Sequence, residues 1–355
     1  MSDNWGRRIK LSIFGESHGP AVGITIDGLP PGIPIDHEYI IWEMARRAPG
    51  KNRLSTARKE ADSVEILSGV YKGKTTGTSI CGIIRNLDTK SDDYDPVLRP
   101  GHADLTALFK YKGHGDMRGG GHFSGRLTAP LVFAGAFAKL VLKGLGISIH
   151  GRIYSIGTIK DDSIPLPENW VEIGKRDLPV SNMEVGHLME QCILDAKSKG
   201  DSVGGIIEVY ATGLPAGLGD PFFSSIESVS SSLFFSIPAV KGVEFGRGFA
   251  LSEMMGSVAN DDIVLKEGSP TTLTNNCGGI LGGISTGEPI IARLAFKPTP
   301  SIALTQNSVD LRGMKEIQLN IKGRHDPCIV PRAVPVAEAA LALAILDCVP
   351  EGVIP

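Results

Sequence analysis

The feature that most limits what this chain can fold into is a long internal repeat. GESHGPAVGITIDGLPPG (15–32) resembles GDSVGGIIEVYATGLPAG (200–217), and Gly28, Pro30 and Gly32 match Gly213, Pro215 and Gly217 at one constant offset of 185 residues. A weaker echo relates VYKGKTTGTSICGII (70–84) to LGGISTGEPIIARL (281–294). So long a period excludes a solenoid. Each copy reads as strand, GLPxG turn, helix and β-pair, because Gly and Pro punctuate runs that are otherwise β-rich. Two such halves pack most naturally as sheet against helices against sheet. The expected fold is therefore α+β, a β–α–β sandwich with internal duplication, its helical layer lying between two antiparallel sheets. Residues 1–355 are expected to form one domain built from two pseudo-repeats, about 9–150 and 195–350.

Strands are predicted over 9–14 and 22–27, followed by a helix that Asp36 caps and that runs through Ala45 with Ile40, Ile41 and Met44 on its apolar side. Residues 63–70 and 78–85 read as a hairpin. The strongest helix covers 124–143 and is closed by Gly144. It is apolar nearly all round, so it belongs between other layers. Its most apolar run, 129–142, is interrupted by Lys139 and reads as too short to cross a bilayer. Beyond it come a strand at 147–154, a polar connection expected on the surface, and a helix capped by Ser181 that runs to Lys199. A strand at 203–211, a Ser-rich helix near 224–236 and a C-terminal helix at 335–346 complete the pattern.

A net charge of −3 leaves no global footprint for nucleic acid or a membrane surface. Five scattered cysteines without a CxxC pair argue against a disulfide or zinc framework. With no signal peptide in the sequence, a cytoplasmic location is expected. The local basic clusters then read as pockets for a small anion: Arg46, Arg47 and Arg53; Arg99; Arg118 and Arg126; Arg324 and Arg332. Guanidinium groups form bidentate pairs with phosphate and carboxylate, so several of them suit a multiply anionic molecule. Residues 99–126, RPGHADLTALFKYKGHGDMRGGGHFSGR, add His102, His114 and His122 to a glycine-rich backbone that can close on an anion. His18 and Asp326 also lie in loops bounded by Gly or Pro, where catalytic groups often sit. The second copy has Val203 where the first has His18, so only one half carries that imidazole.

Other motifs are weaker. GKT (73–75) lacks the leading glycine of a P-loop, having Ser68 there, and reads as a hairpin turn. GHGDMRGGG (113–121) has Arg118 where a dinucleotide fingerprint needs glycine. His18, His102, Asp104, His114, Asp116, His325 and Asp326 could ligate zinc or manganese, but none has a recognised ligand spacing, and no metal is expected. A metal-dependent hydrolase or lyase, and a non-catalytic ligand-binding protein, are the competing readings.

Taken together, GESHG (15–19), DGLPPG (27–32), RPGHAD (99–104), GGGHFSGR (119–126), AVKGVEFG (239–246), NNCGGILGGIS (275–285), KPTPS (297–301) and GRHDPC (323–328) resemble chorismate synthase, in order and over nearly the whole length. The resemblance implies a carbon–oxygen lyase acting on phosphates. Its reaction is the 1,4-anti elimination of phosphate from 5-enolpyruvylshikimate 3-phosphate to give chorismate, the last shared step toward the aromatic amino acids. It further implies a requirement for reduced FMN without net redox change, NADPH as an indirect reductant, a homotetramer, and a separate flavin reductase as partner. Carried over by motif, His18 and His102 would handle protons and Asp326 would relay the proton removed from substrate C6. His122, Phe123, Ser124, Ala239, Gly282, Lys297, Pro298, Thr299, Pro300, Ser301 and Arg324 match flavin-binding positions. Arg47, Arg53, Arg99, Arg126 and Ser17 match positions that hold the substrate or the nicotinamide nucleotide. This chain departs from the common family spelling at His122 and Phe123, where many members have Arg and Ser, at Pro238 in place of Asn, and at Ala48 in place of a third Arg.

Overall fold

In the computed structural model, which describes residues 3–50, 54, 62–87, 97–321, 325–350 and 352, two five-stranded antiparallel sheets enclose a layer of helices. The first half contributes β1 (Asn4–Trp5), β2 (Lys10–Gly15), β3 (Ala21–Asp27), α1 (His37–Arg47), β4 (Val64–Ser68), β5 (Ile80–Arg85), α2 (Asp104–Tyr111) and α3 (Thr128–Gly144). The second contributes β6 (Ser148–Ile156), β7 (Ile159–Lys160), α4 (Trp170–Lys175), α5 (Met183–Ser198), β8 (Gly205–Thr212), α6 (Ile226–Ser236), β9 (Val240–Phe245), β10 (Ile290–Phe296) and α7 (Val330–Cys348). The sheet orders are β1-β2-β3-β5-β4 and β9-β10-β8-β6-β7. Thus β2-β3-β5-β4 is matched strand for strand by β6-β8-β10-β9, and the duplication read from the sequence is present in the fold.

The matched turns are built alike. Gly28 and Gly213 take φ of 89° and 77°, and a side chain on either would strike the backbone of the preceding strand's lead-in, Arg8 O at 2.0 Å and Gly146 O at 2.3 Å. One hydroxyl then pins each GLPxG turn. Thr75 Oγ1 donates to Pro30 O at 2.6 Å and accepts from Ile33 N at 3.0 Å. Ser285 Oγ donates to Pro215 O at 2.7 Å and accepts from Leu218 N at 2.9 Å. The weak echo in the sequence, KTTG against ISTG, is this pair of pins.

In the helical layer α3 packs on β3 and β5, α7 packs on β6 and β8, and the two helices cross in the middle. Gly135 makes the crossing close, since a Cβ there would fall 2.2 Å from that of Ala339. With the two helices packed between sheets, their sequences are apolar all round rather than amphipathic. The lead-in and helix at 125–144 are in fact long and apolar enough to cross a membrane, contrary to the sequence expectation, but the segment is buried as a core element. Lys139 does not break it, because its Nζ lies 2.6 Å from both Glu43 Oε1 and Glu338 Oε2 inside the layer.

Asp36 caps α1, accepting from Tyr39 N at 2.9 Å, as expected. Ser181 does not cap α5. Asn182 does, its Oδ1 accepting from Glu184 N and Val185 N. The helix expected from 124 begins at Thr128, after a 3-10 turn that Ser124 caps. The C-terminal helix starts at Val330, earlier than expected, because Pro331 sits in its first turn, where no N–H donor is needed. The connection expected to be all surface carries buried Asp161, Trp170, Ile173 and Val180.

Candidate active site

A cavity of about 1970 Å³ opens where the loops after β2, before α2 and before α3 meet the loops before β9 and after β10. Gly119, the first of a triple glycine at 119–121 that is all at positive φ (61°, 89° and 53°), lines it. Only glycine takes such a run without steric cost. The conformation threads backbone between two imidazoles. A Cβ on Gly119 would fall 2.4 Å from the His18 ring, and one on Gly120 would fall 3.1 Å from His102 Nε2. Two histidines that lie 84 residues apart in sequence therefore flank adjacent peptide units.

His102 is held from behind. Its Nδ1 lies 2.6 Å from Asp104 Oδ1. Asp104 also accepts from Arg99 through Nε (2.7 Å), Nη2 (2.8 Å) and the backbone N–H (3.0 Å). Burial raises the Asp104 pKa, but Arg99 and His102 outweigh it and hold the carboxyl well below the usual range. Asp326 lines the same cavity and receives a hydrogen bond from Arg332 Nη1 at 2.5 Å. Arg332 in turn donates from Nε to Arg47 O at 3.1 Å.

Arg47 and Arg126 form a second arrangement in the cavity wall. Both donate to Asp62, Arg47 Nη1 at 2.5 Å and Arg126 through its own Nη1. Arg47 also donates to Thr128 Oγ1 and Gly125 O, and Arg126 to Asn86 Oδ1 and Arg85 O. All three charged groups are buried. Two guanidinium groups share this one carboxylate.

His122 and Ser124 line the cavity, as does Phe123, whose ring lies against Tyr111 with centroids 6.0 Å apart. His122 Nδ1 donates to Gly15 O at 2.8 Å, and its Nε2 stands 3.3 Å from the Asp3 carboxylate. β1 is thereby part of the rim, and Trp5 Nε1 fixes it to Ser232 Oγ at 2.7 Å. Ala239 lines the opposite side at φ 75°, its carbonyl accepting from Lys297 N at 3.0 Å. Lys297, Thr299, Pro300 and Ser301 follow along the wall, and Lys297 Nζ donates to Gly101 O.

Not every expected residue reaches the cavity. Gly282 is at the tip of the hairpin formed by Ile280–Leu281 and Ile284–Ser285, away from the lining. Pro298 packs on Gly204 instead. Ser17 is buried behind His18 and binds Gly121 O through its backbone N–H at 3.1 Å. Arg46 turns into the helical layer toward Glu338 and leaves the anion pocket to Arg47. Arg53 and Arg324 lie outside the described residues. Among the described residues, no three His, Cys, Asp or Glu side chains come together as a metal site. A second hollow of about 1040 Å³, beside residues 31–38 and the end of α3, is reached by none of the expected site residues.

Asp62 carried no motif, since its partners are 15 and 64 residues away. His325, named in the sequence only among possible metal ligands, also belongs to the cavity. Burial pushes its pKa down, and Nε2 is buried without a hydrogen-bond partner among the described residues.

A duplicated β–α–β sandwich that gathers two imidazoles, a carboxylate and guanidinium groups in one cleft is suited to acid–base chemistry on a small anion. The family model described as chorismate synthase matches residues 9–349. The chorismate synthase of Pyrococcus abyssi is 50% identical over 345 residues, covering 96% of each chain, and that of Thermococcus kodakarensis is 48% identical over 346 residues, again 96% of each. A solved structure, the crystal structure of chorismate synthase, superposes with a TM-score of 0.76 at 31% identity, covering 97% of this chain and 92% of the other. The chain belongs to the chorismate synthase family of lyases.

Proposed function

We propose that the protein eliminates phosphate from 5-enolpyruvylshikimate 3-phosphate in the 1,4-anti sense to give chorismate, with reduced FMN as the required cofactor. The observation that carries this reading is the meeting of His18 and His102 across Gly119 and Gly120, in a cavity that Asp326 also lines. The residues present fit a flavin. Gly119, Phe123 and Ile237 line the cavity and give a flat ring uncharged surface, and Lys297 with Arg47 and Arg126 in the wall provides cationic groups for phosphate. The volume exceeds the roughly 300–1,000 Å³ of a single-ligand pocket, which supports a cofactor and a substrate side by side. Reduced FMN supplies the transient electron donation that an unactivated ring C–H and an allylic phosphate need, and no side chain here provides it.

The chain's own part is to bind, orient and move protons. Lys297, with Arg47 and Arg126 in the wall, holds the ester phosphate and offsets the charge that grows as it leaves. The two imidazoles divide two proton tasks, protonating the departing phosphate and keeping the reduced cofactor in its reactive protonation state. Asp326, oriented by Arg332, relays the ring proton.

The wider reading takes the protein as one domain of two pseudo-repeats, about 9–150 and 195–350, assembled as a homotetramer. The matched strand orders support the first point. Exposed Phe222, Phe223, Phe249, Met255, Ile263 and Leu265 in the second half support burial against further copies. Five free cysteines agree with a reducing, cytoplasmic location, where a separate NADPH-dependent reductase supplies the flavin.

The test is anaerobic incubation with 5-enolpyruvylshikimate 3-phosphate and dithionite-reduced FMN, following chorismate absorbance and free phosphate. Equal amounts of both are expected, with neither formed when FMN is omitted or left oxidised. Loss of turnover on adding a chelator would instead favour a metal-dependent lyase.

A further inference from the structure

We infer that Asp104 is a positioning residue for the reaction: it fixes the proton of His102 on Nδ1, so that Nε2 is the atom offered to the ligand. The inference rests on the reading above, in which His102 handles a proton. It follows from what each neighbour of Nδ1 can do. Arg99 Nη2 lies 3.2 Å from Nδ1 and has only protons to give. Asp104 Oδ1 lies 2.6 Å away and, as a carboxylate, can only accept. The contact is consistent only if Nδ1 bears the hydrogen and donates it to Asp104.

Asp104 is well placed to remain the acceptor. It is buried at the first turn of α2, where the helix end favours a negative group, and three Arg99 donors hold it ionised. Nε2, on the other side of the ring from Nδ1, lies beside Gly120, and His102 itself lines the cavity. In the neutral ring Nε2 carries a lone pair, and in the imidazolium it carries the proton to be delivered. Arg99 thus has an internal task alongside the anion-binding one expected of it. Without the carboxylate, its Nη2 would be the group facing Nδ1 and would favour the opposite tautomer.

Asp104→Asn separates shape from proton placement. The oxygen of the amide is required by Arg99 Nε and the Arg99 backbone N–H, so the amide nitrogen is left facing Nδ1. That nitrogen donates, Nδ1 must accept, and the ring proton moves to Nε2. The experiment uses the full-length protein labelled with 15N-histidine, with the His102 signals identified by their loss in His102→Gln. In the neutral ring, the wild type is expected to show a protonated Nδ1 and an unprotonated Nε2, and Asp104→Asn the reverse. Asp104→Asn should also lower kcat on the order of 10²-fold with KM nearly unchanged. A wild-type proton on Nε2 would overturn the inference, as would a variant with the exchanged tautomer and undiminished kcat. The wild-type spectrum decides the tautomer even if the variant does not fold. Should the protein form no chorismate at all, the proposed function falls while the spectrum still reads where the proton sits.

Discussion

Arg46 of α1 and Glu338 of α7 face each other through two parallel hydrogen bonds, Nη1 to Oε2 at 2.6 Å and Nη2 to Oε1 at 2.7 Å. Lys139 and Glu43 complete a buried quartet of two cations and two anions, and Tyr39 donates to Glu43 Oε1 at 2.8 Å. The quartet joins α1 and α3 of the first half to α7 of the second. Truncating Glu338 leaves two buried cations to share the single carboxylate of Glu43. Glu338→Ala is therefore expected to destabilise the fold by about 3–5 kcal/mol in denaturant titrations. A loss under about 1 kcal/mol would mean that the quartet behaves like a surface pair.

Asp62 gives a pH-dependent test. Burial raises its pKa, but Arg47 and Arg126 outweigh that and hold it below the ordinary carboxylate value. A folded pKa below the unfolded one, about 3.9, contributes stability that is complete above that pH and fades as the pH falls through the folded value. Wild type and Asp62→Asn should thus differ most near neutrality, by about 3–5 kcal/mol, and converge in strong acid. Unfolding midpoints measured across a pH series would read this directly, and a gap that widened in acid would contradict the pairing.

Gly119→Ala tests the backbone between the imidazoles. The added Cβ meets the His18 ring at 2.4 Å and the residue must hold φ 61°, which costs roughly 1–2 kcal/mol in a non-glycine residue. Thermal melts should show that modest loss, while kcat falls well beyond it because His18 is displaced. Equal activity in the variant would remove His18 from the chemistry.

His18→Ala and His102→Ala should each slow turnover at least tenfold, and by as much as the about 10²–10⁴ that acid–base groups contribute, while circular dichroism stays native. Different pH profiles for the two variants would separate leaving-group protonation from upkeep of the cofactor. Rates close to wild type in both would end the assignment.

The duplicated frame was legible because its turns exclude side chains. At Gly28 and Gly213 the same close approach of backbone forces glycine, so both copies kept the letters. The site was legible where motif residues share a loop, as at His102 and residues 119–124. It was not legible where partners come from separate segments. Asp62 lies in no pattern, and only folding brings it between Arg47 and Arg126. Lys139 read only as an interruption of an apolar run because a buried ion pair cannot be told from a solvated charge in the sequence alone. Ser181 and Asn182 are adjacent and both able to cap, and the backbone chose the second. Gly282 matches a flavin-binding position by motif, yet its hairpin stands apart from this cavity.

The strand at Asn4–Trp5 sits on the cavity rim, joined to it through Asp3 and His122 and through Trp5 and Ser232. A purification handle fused ahead of it would emerge at the ligand entrance and compete with whatever enters. Calorimetry or fluorescence titrations on this protein should accordingly use material from which any leading tag has been cleaved.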